Sequence, residues 1–197
     1  TFGGKAQKAT PLTEVYAFQQ PELDIKPGTS LGGAISILDN SISTEIVKST
    51  PEQKGDFKPL VFVLTDGQPT DDWRSAFNRF KQNHKSVIVY AIGCGDDVDF
   101  AILKELTEST YSMDQMDAEA FAKLFVCISS SISSASAAIG EQGKQGGAIN
   151  LEKDAGGAVR KVEGQDCPLS SKKSQVFIPV VCQKVKKPYL LRHRLNA

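Results

Sequence analysis

The chain has 197 residues, 40% hydrophobic and 23% charged, with 23 Lys and Arg set against 23 Asp and Glu. That length fits one domain with an appendage or two small domains, and the composition is ordinary for a globular protein. A formal net charge of zero excludes a global pull towards nucleic acid or an anionic membrane surface. No apolar run is long enough to span a bilayer, and Thr1 opens no signal-peptide pattern. Cys94, Cys127, Cys167 and Cys182 are widely spaced with no CxxC pair. This argues against a zinc ribbon or a disulfide framework and points to a reducing, cytoplasmic setting.

In chain order, Thr1-Phe2-Gly3-Gly4 reads as a strand leaving a sheet. Residues 9–18 (ATPLTEVYAF) carry β-formers and a proline, the pattern of an edge strand. Gly28-Thr29-Ser30 then opens a helix. Leu31, Ala34, Ile35, Leu38, Ile42 and Ile46 recur at helical spacing, and Thr29 or Ser30 is placed to cap it. Leu60 to Leu64 form an unbroken apolar run that stops at Thr65-Asp66-Gly67, which predicts a strand over residues 58–65 buried on both faces.

A second helix is expected from about residue 70 to 83, with Trp73, Ala76, Phe77 and Phe80 on one face. Asp71 and Asp72 favour its positive end. Residues 86–92 (SVIVYAI) read as another buried strand ending in Gly93-Cys94-Gly95-Asp96-Asp97, a turn more than a phosphate loop. A short helix near 99–107 and a strand at 110–113 follow. A long helix at 117–139 carries a stripe through Phe121, Leu124, Phe125, Ile128, Ile132, Ala135 and Ile139. Strands alternating with helices predict an α/β, Rossmann-like fold, a mostly parallel sheet covered on both faces. Residues 140–157 are glycine-rich and read as a linker. Residues 175–184 and 189–194 read as two paired strands of a C-terminal β extension. The domain reading is therefore 1–139, a linker at 140–157, and a β-hairpin extension at 158–197. His84 and His193 have no partner at ligand spacing and read as surface residues. Cys94 sits at a turn with no activating neighbour in sequence.

Ligands of open α/β sheets bind at the carboxyl ends of the strands, which singles out Asp66. Together, PGTSLGGAI around Thr29 and VFVLTDGQPTDDW around Asp66 resemble the von Willebrand factor type A (VWA) domain. In that family such a threonine and aspartate help to hold a divalent ion at a metal-ion-dependent adhesion site, which binds a partner's carboxylate. The resemblance implies Thr29 as a direct ligand and Asp66 as a ligand directly or through water. Oxygen donors of this kind suit Mg²⁺, with Mn²⁺ or Ca²⁺ as alternatives. ATPLTEV, YAIGCGDDVDFAILKELT, LFVCISSSISSAS and KKPYLLR extend the similarity to the bacterial TerY-like group associated with tellurium resistance. That similarity implies a cytoplasmic, non-enzymatic scaffold in a stress response, with phosphatase or kinase partners of the same system.

The family's first strand ends in a DxSxS motif, and none occurs in this sequence. Asp39-Asn40-Ser41-Ile42-Ser43 lies on the predicted helix after Thr29 and is rejected as a substitute. The expectation is that the first strand, first helix and most of the second strand precede Thr1, and that their loss would leave a row of backbone groups unpaired. Two other readings stand beside the metal-dependent one. A metal-assisted phosphohydrolase would use Asp66 with Asp96 or Asp97. A metal-free adaptor would bind an acidic partner through Lys184, Lys186, Lys187, Arg192 and Arg194.

Overall fold

The computed structural model describes residues 1–14, 17–19, 21–22, 26–53, 55–56, 58–114, 117, 119–130, 151, 158–162 and 175–181, the last for its backbone. Its elements are α1 (Leu31–Glu45), β1 (Lys58–Thr65), α2 (Trp73–Asn83), β2 (Ile88–Cys94), α3 (Phe100–Leu106) and β3 (Thr110–Met113). They continue with α4 (residues 119–130), β4 (Arg160–Lys161) and β5 (Gln175–Val181). The strands form one sheet in the order β4-β3-β2-β1-β5, parallel throughout except for the antiparallel β3–β4 pair.

The apolar run of β1 alternates between two layers, as the pleat requires. Leu60, Phe62 and Leu64 meet Tyr90, Ile92, Tyr111 and Met113 beneath α4, whose Phe121, Leu124 and Ile128 cover that face. Val61, Val63 and Ala91 face the opposite layer, filled by Leu31, Ile35, Leu38 and Ile42 of α1 and by Trp73, Phe77 and Phe80 of α2. Phe62 and Tyr90 are paired across the strands and their rings stack at 4.8 Å. The helices thus lie on both faces of a mostly parallel sheet, as the alternating pattern predicts.

Several local expectations differ from the structure. Residues 9–18 form no strand among those described. Pro11 has no N–H to give a ladder, and the Glu45 carboxylate at the end of α1 accepts from Leu12 N at 2.6 Å and pairs with Lys8. Thr1–Gly4 does not leave the sheet as a strand either. Phe2 bridges to Ala6 and buries its ring against α1 and α2. α2 begins three residues later than expected, because Thr70 is engaged elsewhere and Asp72 caps Ser75 N instead. β2 is shifted by two residues towards its carboxyl end, where Thr65 pairs with Gly93 and Cys94 with Met113.

His84 is not a free surface residue. Its ring is 11% exposed, and Nε2 lies 2.7 Å from Oδ1 of Asp39 on α1, itself 15% exposed. Asn83 and Arg79 flank the same carboxylate. Burial pushes the Asp39 pKa up, but hydrogen bonds from Asn83 and His84 and the charges of His84 and Arg79 outweigh it, so the net shift is downward.

β1 is not left at the edge of the sheet. β5 pairs with it in parallel from Lys58↔Gln175 to Leu64↔Val181. The proposed hairpin partner at 189–194, the linker at 140–157 apart from Leu151, and helix positions 131–139 fall outside the described residues. His193 and the basic cluster from Lys184 to Arg194 fall outside them too. Among the described residues no helix is long and apolar enough to cross a membrane.

Candidate metal centre

Two loops meet at the carboxyl edge of the sheet. One runs through Gly28-Thr29-Ser30 into α1, and the other leaves β1 through Asp66 towards α2. The first loop is pinned from below by the amino-terminal turn. Ser30 N donates to Gly3 O at 2.7 Å, and Gly28 adopts φ 108° with its Cα side against Gly4. A Cβ on Gly28 would lie 2.8 Å from Gly4 Cα, so this approach requires glycine at a conformation that L-residues avoid.

The second loop holds the first from the other side. Thr70 N donates to Thr29 O at 2.9 Å, and Thr29 N donates to Thr70 Oγ1 at 3.3 Å. Asp71 then caps α1 from a distant part of the sequence. Its Oδ1 accepts from Gly32 N and its Oδ2 from Gly33 N, each at 2.9 Å, while Ser30 Oγ donates to Oδ2 at 2.8 Å. Ser30 occupies the N-cap position but makes no side-chain cap bond of its own. The expected local cap is therefore replaced by a carboxylate, which also suits the positive end of the helix.

Thr29 is 1% exposed, and among the described residues its Oγ1 is a buried side-chain oxygen without a hydrogen-bond partner. An unsatisfied buried hydroxyl costs about 1–3 kcal/mol, so such an atom calls for a ligand or another explanation. Asp66 follows the last residue of β1 and is half-buried. Thr65 behind it is buried, its hydroxyl donating to Gly67 O at 3.2 Å and fixing the turn. The two predicted residues thus stand on loops that are bonded to each other. A buried hydroxyl and a carboxylate are both hard oxygen donors, a partial set compatible with Mg²⁺, Mn²⁺ or Ca²⁺. Among the described residues no three of His, Cys, Asp and Glu converge as a metal-binding group, so a site here would depend on the threonine hydroxyl and on donors from elsewhere.

Asp96 and Asp97 are exposed in the turn after β2, where Gly95 takes φ 89° and its N–H donates to Met113 O. Cys94 is buried at the end of β2, an environment that suppresses thiolate chemistry. Asp39 is committed to His84 and α2, consistent with its rejection as a metal ligand. In sequence, Asp71 reads only as a favourable charge at the start of α2, and its bond to α1 is not visible there. The available signal was the Gly32-Gly33 pair, which leaves first-turn amides open to an acceptor from outside the helix.

Nothing among curated proteins or solved structures matches the chain significantly. The family model for the von Willebrand factor type A domain matches residues 1–125, which run from the amino-terminal turn into α4 and include both loops of the site. Domains of this family are protein-interaction modules, often dependent on a metal ion. With well over half of its length matched, and with the parallel sheet and paired carboxyl-edge loops in place, the chain belongs to the von Willebrand factor type A domain family.

Proposed function

We propose that this chain is a non-enzymatic, metal-dependent interaction module in which Thr29 and Asp66 contribute ligands to Mg²⁺ or a similar ion. The observation that carries this reading is the buried Thr29 Oγ1 without a hydrogen-bond partner. A hard cation would use the lone pairs that no donor among the described residues takes up. When bound, the ion would supply an electrophilic position for an acidic side chain of a partner protein. Thr29 and Asp66 would hold the ion, and the half-buried setting would keep competing water down. The likeness to the TerY-like group further suggests a cytoplasmic scaffold in a bacterial tellurite or stress response, with a phosphatase or kinase among its partners.

The test is calorimetric titration of Mn²⁺ into the wild type, Asp66→Ala and Thr29→Val, each first shown to be folded. Binding to the wild type that both substitutions abolish is the expected result. Without metal, Thr29→Val should be at least as stable as the wild type, because it removes an unsatisfied hydroxyl worth up to about 1–3 kcal/mol while keeping the side-chain shape. Absence of wild-type binding, or equal binding by all three proteins, would overturn the proposal.

A further inference from the structure

We infer that Asp71 is the positioning residue that fixes Thr29 relative to Asp66, acting as a latch between the two loops of the site. The inference rests on the metal-dependent reading for its affinity readout, but its geometry stands apart from it. Thr29 has no side-chain hydrogen bond among the described residues, so its hydroxyl goes where the backbone takes it. That backbone is held on both polar groups by Thr70, and the next turn is held by Asp71 through Ser30 Oγ, Gly32 N and Gly33 N. Thr70 and Asp71 lie on the same short loop that leaves β1 through Asp66. The two candidate ligands are thus linked through the contacts that Thr70 and Asp71 make with the Thr29 loop.

Three details single out Asp71 within this loop. Both of its carboxylate oxygens are used, so an amide at this position would present N–H₂ to a donor on one side. The contacts fall on the first helical turn, where backbone N–H groups have no intrahelical partner. The approach is also close. A Cβ on Gly32 would lie 2.9 Å from Trp73 Cα and 3.0 Å from Asp72 O, which shows how tightly the loop is drawn against α1. The side chain of Asp72, one residue on, is turned to α2, where it accepts from Ser75 N, which makes it the natural control.

The experiment compares Asp71→Asn, Asp71→Ala and Asp72→Asn in the full chain. Mn²⁺ affinity is read by calorimetry, and exchange of the Gly32 and Gly33 amides by NMR, at a temperature where all variants are folded. Both Asp71 substitutions should weaken Mn²⁺ binding by at least about tenfold, the scale of losing an outer-shell support, and should accelerate exchange at Gly32 and Gly33. Asp72→Asn, which keeps an N-cap acceptor for Ser75 N, should leave Mn²⁺ affinity within about twofold and exchange at Gly32 and Gly33 unchanged. A positioning role is overturned if Asp71→Asn binds Mn²⁺ as the wild type does, or if Asp72→Asn weakens binding equally. If the wild type binds no Mn²⁺, the metal-dependent reading falls and the amides decide the latch. Loss of protection confined to Asp71 variants then supports it, and unchanged protection overturns it.

Discussion

Replacing Gly32 by alanine should destabilise the protein, against the usual trend for glycine in a helix. Alanine is favoured over glycine in a helix interior by roughly 0.8–1.0 kcal/mol, so propensity alone predicts a gain. At Gly32 the new methyl would meet backbone atoms, Trp73 Cα at 2.9 Å, Asp72 O at 3.0 Å and Asp72 C at 3.1 Å. None of these can rotate away, so either α1 or the 71–73 segment must move. Overpacking of this kind costs about 1–3 kcal/mol. The displacement also stretches the bond from Gly32 N to Asp71 Oδ1, a charge-assisted contact worth about 1.5–3 kcal/mol when intact. Overpacking less the propensity gain leaves about 0–2 kcal/mol, and partial loss of the Asp71 bond brings the net destabilisation to about 1–3 kcal/mol. For a domain of 150–250 residues each kcal/mol moves the melting temperature by about 2–4 °C, so a fall of roughly 2–12 °C is expected by calorimetric or circular-dichroism melting. Asn40→Ala, at an exposed position of the same helix, isolates propensity and should be neutral or slightly stabilising. A melting temperature for Gly32→Ala equal to or above the wild type would refute the close approach and the latch geometry with it.

Asp39→Ala should lower stability by about 1–3 kcal/mol at pH 7, the cost of removing a hydrogen-bonded carboxylate from part-buried partners. The Asp39 pKa is lowered in the folded state from an ordinary value of 3.8, so its contribution is present above that value and fades as pH falls through the folded pKa. Urea unfolding at pH 7 and near pH 3 should therefore show the gap between wild type and variant narrowing in acid, and a gap that widens would contradict the assignment. Cys94 and Cys127 are 1% and 4% exposed, so a thiol reagent should label neither in the native protein and both after unfolding. Rapid native labelling of either, located by peptide mass mapping, would be inconsistent with their burial.

The layered α/β core was readable because its signals are local and periodic. The continuous run from Leu60 to Leu64 demands a strand covered on both faces, and the stripes of α1 and α2 match buried positions except at Ile46, which is the half-buried C-cap of α1. Motif and family resemblance together single out Thr29 and Asp66, and the structure places them on two loops bonded to each other. What escaped were features decided across the chain. Thr70 looks like a helix cap in sequence, yet its N–H and hydroxyl are taken by Thr29, which delays α2 to Trp73. Residues 9–14 have strand propensity, yet Glu45 captures the Leu12 amide. Asp71 caps a helix on the other side of a strand, and His84 finds Asp39 on another helix. No window of sequence contains both members of these pairs.

The surroundings of β1 tie these observations to the site. A strand ending in a functional carboxylate at an open sheet edge would be steadied by a ladder on one side alone. Here Leu64 is paired with Ile92 of β2 and with Val181 of β5, so the residue before the Thr65-Asp66 turn is held from both sides. β5 is itself the outer strand in this order, and Pro179 within it agrees with that place, because proline is tolerated on edge strands and not on central ones. Asp66 therefore departs from a doubly paired strand, and the Thr70–Asp71 contacts carry that rigidity on to the Thr29 loop. A site whose ligands stand on bonded loops above a paired strand is pre-organised, and pre-organisation lowers the ordering cost of binding an ion or a partner. If Thr29 and Asp66 hold the ion as proposed, the backbone contacts behind them would set the geometry of the site together with the two side chains.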